Sequence, residues 1–393
     1  MTSEAEALAA VLSRVTALPA RRATLIESLG QISARDVGAV RPLPAFDNSA
    51  MDGYAVQADS CGKGAILRVV GEQPAGAARG LTVGAGEAIR IFTGAPLPAG
   101  ADAVIMQEDV HREEERITAQ CAAELGEFIR RQGADLAEGQ KILGRGEPIT
   151  AQTMALLAAQ GLAEIEVGGT PAVAIVSTGD ELVRPGGTLQ PGQIFESNAI
   201  MLHALARRAG ADVRLVEHCP DALERMTELF RRGLETDALI VSGGVSVGDH
   251  DLVKPALRAL GAEIDLWRVA LKPGKPFLFG RAGGCCIFGL PGNPVSAFVT
   301  FLKFVRPALL QMRGAAGEHL GLPEVPARLA SEVTNSGDRP HYLRGRLQDG
   351  VFTLTGRQES HALFGLSRAN ALLRAAPGST FAAGASVTVE LCD

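Results

Sequence analysis

Flat aromatic side chains are scarce in this chain: they account for 4% of its 393 residues, with one tryptophan and two tyrosines. That leaves little on which nucleic-acid bases could stack. No basic block compensates, because 38 lysines and arginines are outnumbered by 44 acidic residues and the net charge is −6. A nucleic-acid partner is therefore not expected. Cysteine is present but unorganised. Cys61, Cys121, Cys219, Cys285, Cys286 and Cys392 contain no C-x-x-C pair, so their spacing supports neither a zinc site nor a disulfide framework. A cytoplasmic protein is the default for such thiols. No apolar run approaches membrane-spanning length, and no membrane partner is expected. The opening residues lack the basic region and apolar stretch of an export signal; Ser3 and Glu6 are spaced instead as a helix capping box.

What the chain does have is apolar content, 46% of its residues, which is enough for real cores and argues against wholesale disorder. Its length suggests two to four domains. Residues 1–40 are rich in Ala and Leu and read as helical, until Arg41-Pro-Leu-Pro-Ala-Phe46 breaks the pattern. Short β-type runs separated by Gly/Pro turns follow, and then a helix over 151–160 with Thr150 as N-cap and Gly161 past its end. This order predicts a discontinuous helical, elongated domain over 1–42 and 140–168, with a small β domain, 43–139, inserted in it. From residue 169 strands and helices alternate to about 320, the signature of a parallel α/β domain with helices on both faces of its sheet. There Asp221-Ala-Leu-Glu224 is spaced as a capping box, and Val213-Arg-Leu-Val216 reads as a short strand. Residues 321–393 read as a C-terminal β domain. The fold class is thus multidomain α/β.

Three strand ends in the α/β region run into polar, glycine-rich loops, and parallel strands would place all three on one edge of the sheet. The most informative is Ser242-Gly-Gly-Val-Ser-Val-Gly-Asp-His-Asp251, which follows the apolar run Asp237-Ala-Leu-Ile-Val. Glycine lets backbone N–H groups approach an anion, and hydroxyls add donors; Ser242, Gly243, Gly244 and Ser246 suit phosphate. Asp249 and Asp251 repel phosphate but can hold the Mg²⁺ that phosphate carries. The second loop, Ser177-Thr-Gly-Asp-Glu181, offers Thr178 and Gly179 to the ligand and Glu181 to the same metal; Asp180 reads as a turn residue. The third, Gly289-Leu-Pro-Gly-Asn-Pro294, brings Gly292 and a helix N-terminus with Asn293 as cap and Pro294 as first residue. Free N–H groups there suit a phosphate or carboxylate at Asn293 to Ser296. Each loop alone is an ordinary tight turn; three on one edge make a binding site. None matches an ATPase or dinucleotide fingerprint.

A basic cluster follows in Trp267-Arg-Val-Ala-Leu-Lys-Pro-Gly-Lys-Pro276. Pro273 and Pro276 stiffen the turn, so Lys272 and Lys275, with Arg268 nearby, suit a dianionic oxyanion. The adjacent Cys285 and Cys286 lie in a strand-like run and read as small buried hydrophobes.

Taken in order, Pro44-Ala-Phe-Asp-Asn-Ser-Ala-Met-Asp-Gly-Tyr-Ala55, Ile91-Phe-Thr-Gly-Ala95, Ser177-Thr-Gly-Asp-Glu-Leu182, 242–248, Lys272-Pro-Gly-Lys-Pro-Phe277 and Leu290-Pro-Gly-Asn-Pro-Val-Ser296 resemble the molybdopterin molybdenumtransferases, including the gephyrin E-domain type. The resemblance implies four domains and an elongated homodimer with an active-site cleft shared between subunits. It also implies a Mg²⁺-dependent reaction, in which molybdate joins the dithiolene of adenylylated molybdopterin and AMP leaves. A molybdopterin adenylyltransferase is the implied partner that delivers the substrate. By position, Glu181 and Asp251 resemble the residues serving the metal, and Asp52, Thr93 and Asp221 further catalytic positions. Arg268, Lys272, Lys275, Arg344 and Ser360 resemble the molybdate site. Two departures stand out: Arg268 replaces a common lysine, and Glu359 precedes Ser360 where glycine is common. A gephyrin-like scaffold that binds a peptide without catalysis is the alternative, but the acidic and basic site positions are filled.

Overall fold

The computed structural model describes residues 1–244 and 252–392. These fall into two compact units: residues 1–35, 144–154 and the chain from 163 onward form one, and residues 36–143 with 155–162 the other.

The larger unit is built on a six-stranded sheet in the order Asp212–Cys219, Ala172–Thr178, Ala238–Ser242, Cys285–Leu290, Leu278–Ala282, Glu263–Trp267. The first four strands are parallel and the last two antiparallel. Continuous apolar runs such as Ala238-Leu-Ile-Val form the buried centre because helices cover both faces. One face packs Val173, Ile175 and Ile240 against Val11, Leu202 and Val299. The other packs Ala174, Val176 and Val241 against Met226, Leu229 and Val253. Ser177, Ser242 and Leu290 lie in register on neighbouring strands, so three loops leave from one edge.

Several local expectations need correction. The helix at the start spans only Glu4–Arg14, with the Ser3/Glu6 capping box in place. Beyond it, Arg21–Thr24 pairs antiparallel with Glu164–Val167. Pro19, which cannot donate to a helix, precedes that strand and helps explain the change. The strand read as Val213–Val216 runs over eight residues, Asp212–Cys219. Asp221 does not cap the helix Leu223–Gly233, whose N-cap is Ala222 and carries no side-chain cap bond. Finally, Pro294–Met312 is a helical run of 19 residues that is apolar enough by length and composition to cross a membrane. Lys303 and Arg306 interrupt the run in sequence, which hid its length. It is 78% buried inside the protein and is a core helix.

Past residue 320 the strands Glu324–Leu329, Val351–Leu354, His341–Gln348, Ala371–Ala375 and Ser386–Leu391 close into a barrel in that order. Closure removes the exposed edges that such short strands would otherwise present. The barrel's own core holds Leu343, Phe352, Leu373 and Val389.

The smaller unit carries a six-stranded sheet ordered Ala103–Met106, Gly53–Val56, Glu87–Ile91, Ile66–Gln73, Arg116–Ala119, Val110–Glu113. Tyr54, Val56, Leu67 and Ile105 pack one face, and Ala55, Ile89 and Val104 the other. The charged run from Arg112 to Arg116 forms the exposed tip of a hairpin, with Glu114 at φ 47° in the turn.

Candidate active site

The edge where the parallel strands end gathers most of the residues singled out in the loops. Gly243 donates its N–H to the Leu290 carbonyl at 3.1 Å. Its φ is +97°, and a Cβ there would stand 2.6 Å from the Thr178 carbonyl oxygen and 2.9 Å from Thr178 Oγ1. Only glycine lets these two strand ends approach so closely. At Gly244 a Cβ would meet Val253 at 2.6 Å, and one built on Gly292 would lie 3.8 Å from the Gly243 Cα. Thr178, Ser242, Gly243, Gly244 and Gly292 are therefore one cradle. Ser246, Asp249 and Asp251 lie outside the described residues.

Asn198, which opens the helix Asn198–Arg208, ties the cradle together: its Nδ2 donates to Ser242 Oγ at 3.0 Å and to the Gly292 carbonyl at 2.7 Å. Three buried polar atoms at this edge, Ser177 Oγ, Thr178 Oγ1 and Asn198 Oδ1, have no hydrogen-bond partner among the described residues. Buried polar groups are rarely left so, and a cluster of them marks a place where a polar ligand completes the set. Beside it a cleft of about 380 Å³ is lined in part by Ser177, Glu196, Ile200 and His218.

Three carboxylates, Asp180, Glu181 and Asp221, meet beyond the strand Ala172–Thr178. Asp221 N–H donates to Asp180 Oδ1 at 2.9 Å, so Asp180 serves as a loop brace. His218 Nε2 donates to the Gly179 carbonyl at 2.8 Å. The Glu181 carboxylate folds over Gly179, where a Cβ would stand 2.4 Å from Oε2. Burial, then the negative charges of Asp180 and Glu181, hold the Asp221 carboxyl above the usual carboxylate range. Among the described residues no three acidic, His or Cys side chains are arranged to hold a metal by themselves.

The third loop leads into the helix Pro294–Thr300, with Pro294 in its first turn and Ser296 buried. Asn293 occupies the N-cap position but makes no side-chain cap bond. The amides expected to be free there are not all so, since Val295 N–H donates to the Ser360 carbonyl at 3.1 Å. That contact brings Ser360, from the barrel side, to the helix N-terminus. Arg344 is fully buried, and its guanidinium donates to the carbonyls of Arg357 and Glu359, at 3.1 Å to the latter. It braces the loop that carries Ser360, leaving its Nε buried without a partner.

Lys272 and Lys275 are exposed on a turn whose prolines and glycine are largely buried. Val269 N–H to the Lys275 carbonyl and Arg268 N–H to the Phe277 carbonyl, both 3.1 Å, close the hairpin. Arg268 sits at φ 88°, an unusual conformation for a side chain with a Cβ. Cys285 and Cys286 are buried in their strand, and burial pushes their thiols up to about 12 and about 11, which leaves them inert as nucleophiles at neutral pH.

In the smaller unit Asp52 and Thr93 form a pair of their own: Asp52 Oδ1 accepts from Thr93 N–H at 2.7 Å and from Thr93 Oγ1 at 2.9 Å. Those bonds hold the Asp52 carboxyl below its ordinary range.

Sequence reasoning missed Asn198, His218 and Glu196. Glu196 Oε1 accepts from Ala199 N–H at 2.6 Å, in the first turn of the helix Asn198–Arg208. A glutamate and an asparagine bracketing a helix start at a strand-to-helix junction were the available signal.

The chain is similar to known proteins over most of its length. Residues 2–161 match the family described as MoeA N-terminal region (domain I and II), residues 174–311 a probable molybdopterin binding domain, and residues 326–392 the MoeA C-terminal region (domain IV). The chain is 39% identical over 362 residues to molybdopterin molybdenumtransferase 2 of Mycobacterium tuberculosis, covering 89% of each. It is 33% identical over 400 residues to the molybdopterin molybdenumtransferase of Staphylococcus aureus, covering 99% of this chain and 95% of that one. The crystal structure of the molybdopterin biosynthesis moeA protein from Pyrococcus horikoshii OT3 superposes with a TM-score of 0.86 at 28% identity, over the whole of both chains.

Proposed function

This chain belongs to the molybdopterin molybdenumtransferase family, and from that premise we propose how its residues divide the reaction. It is a transferase of molybdenum cofactor biosynthesis, with molybdopterin and molybdate as substrates. Adenylylated molybdopterin binds at the edge of the parallel strands. The observation that carries this reading is the glycine cradle of Gly243, Gly244 and Gly292 beside three unpartnered buried polar atoms. Backbone N–H groups there orient the phosphates, and Thr178, Ser242 and Ser296 add donors.

Molybdate is taken by the turn of Lys272 and Lys275, with Arg268 and the loop of Ser360 that Arg344 braces. Two ammonium groups on a stiff turn neutralise a dianion without first paying to order a loop. Glu181 and Asp251 would hold Mg²⁺, which would supply charge neutralisation to the phosphoanhydride. Asp221, with its raised affinity for a proton, and the Asp52–Thr93 pair serve proton handling and positioning. We further propose a homodimer that shares its active-site cleft between subunits, a molybdopterin adenylyltransferase as the source of substrate, and a cytoplasmic location. Six free thiols fit that last assignment. A scaffold without catalysis is not favoured, since relatives over most of the chain are named as transferases.

Steady-state kinetics with each substrate varied in turn test the division. Gly243→Ala should raise KM for adenylylated molybdopterin, and Lys275→Ala should raise KM for molybdate, each by about tenfold or more, the effect of roughly 1.4 kcal/mol. A Lys275→Ala enzyme with unchanged KM for molybdate would contradict the assignment of the turn.

A further inference from the structure

The lysine turn hangs between two other elements. On one side the N-terminal segment reaches it: Ala270 N–H donates to the Thr2 carbonyl at 2.8 Å, and Thr2 forms a parallel bridge with Val269. On the other lies the barrel strand His341–Gln348 and the residue before it. Lys272 N–H donates to the Pro340 carbonyl at 2.9 Å, and Tyr342 N–H donates to the Lys272 carbonyl at 2.8 Å. Both backbone groups of Lys272 are therefore committed to the barrel.

The same two elements meet again at Glu4, two residues beyond Thr2. Its carboxylate accepts from the Tyr342 hydroxyl and, at 3.0 Å, from Arg374 Nε. Lys303 Nζ stands 3.6 Å from Glu4 Oε1 and donates to Glu390 Oε1 at 2.7 Å. The ammonium of Lys303 also lies 5.1 Å from the centre of the Tyr342 ring. Side-chain exposure is only 14% for Glu4, 17% for Lys303 and 12% for Glu390. Lys303 sits in a π-helical turn, Phe301–Val305, where Arg306 N–H donates to the Phe301 carbonyl. Such single turns inside α-helices are frequent at functional sites.

A buried ion cluster of this kind is weak as a source of stability, because desolvation offsets most of the attraction. Its best-attested use is to impose one register on the elements it joins. Here those elements are the N-terminal segment, the core helix and the barrel strand. We propose that Glu4 is a positioning residue for molybdate capture: by clamping Tyr342, Arg374 and Lys303 it holds in register the two backbones that carry the Lys272/Lys275 turn. The inference rests on the reading of that turn as the oxyanion site. Glu4 touches neither substrate; it acts through Thr2 on one side and Tyr342 on the other.

Three variants of the full-length protein test it: Glu4→Gln, nearly isosteric but neutral; Tyr342→Phe, which keeps the ring and removes the hydroxyl; and Lys272→Ala, which tests the turn itself. Two readouts are taken, hydrogen exchange of the Ala270 and Lys272 amides and KM for each substrate. The clamp predicts that Glu4→Gln and Tyr342→Phe each speed exchange at those two amides by about tenfold while the central strands keep their protection. It also predicts a rise in KM for molybdate of roughly fivefold or more, with KM for adenylylated molybdopterin within about twofold. Unchanged exchange at Ala270 and Lys272 overturns the proposal. So does a parallel rise in both KM values with exchange faster throughout, which is what a merely structural role would give. If Lys272→Ala leaves KM for molybdate unchanged, the oxyanion reading of the turn fails, and the amide exchange still decides whether Glu4 holds it.

Discussion

At the scale of single residues, His341 offers a sharp test. It is buried at the start of the barrel strand, and burial first, then the charges of Lys272, Arg344 and Arg339, hold its imidazolium down to about 4. The unfolded chain takes up that proton near pH 6.5, whereas the folded one does not until about 4. Between those values the unfolded state binds more protons, so stability rises with pH. The contribution is complete above about 6.5, is lost as pH falls toward 4, and levels off below that, with an upper bound of roughly 3 kcal/mol. Urea midpoints measured from pH 4.5 to 7 should therefore fall less steeply on acidification for His341→Gln than for the native chain. Identical slopes would show that His341 is not the group responsible. Little of this was legible in the sequence, because one histidine beside Tyr342 carries no mark of the cations that the fold brings to it. Gly243, by contrast, was legible in company: its serine-glycine-glycine run alone reads as a tight turn, but two other glycine-rich strand ends share its edge. Glu4 was legible only as a first-turn acid of a capped helix, since its partners Lys303, Tyr342 and Arg374 are more than 290 residues away.

At the scale of elements, the parallel strands and their loops were legible because buried strands read as continuous apolar runs bounded by glycine and proline. The antiparallel extension of the sheet was not. Glu263–Trp267 alternates charged and apolar residues in the manner of a half-exposed edge strand, and the helix–strand rhythm before it favoured a crossover. The Asp221/Glu224 spacing misled for a related reason: the Asp221 N–H donates to Asp180 Oδ1, a tertiary contact, and the residue does not cap the helix. How the strand ends are locked gives a prediction at this scale. Asn198→Ala removes the donor shared by Ser242 Oγ and the Gly292 carbonyl, leaving both acceptors short of a partner. Thermal and urea unfolding should report a loss of about 1–3 kcal/mol. A stability within about 0.5 kcal/mol of the native chain would mean that water replaces the amide and that the edge is not dry.

At the scale of the whole molecule, the chain presents two units whose strands come from distant stretches of sequence, since residues 36–143 and 155–162 separate from the rest. The flanks of the inserted β segment could be seen to belong together, but not that Arg21–Thr24 and Glu164–Val167 join them as paired strands. A strand of four mixed residues carries too weak a period to be read alone. The proposed homodimer predicts a mass near twice 41.0 kDa by light scattering after gel filtration; a monomer at micromolar concentration would remove the shared cleft from the account. The most direct test of the central claim is the stoichiometry of a single reaction. Purified protein is mixed with adenylylated molybdopterin, Mg²⁺ and molybdate, and AMP released is compared with molybdenum bound to the product dithiolene. One AMP is expected for each molybdenum transferred, with neither formed when molybdate or Mg²⁺ is withheld. AMP release at the same rate without molybdate, or molybdenum transfer without AMP, would contradict it.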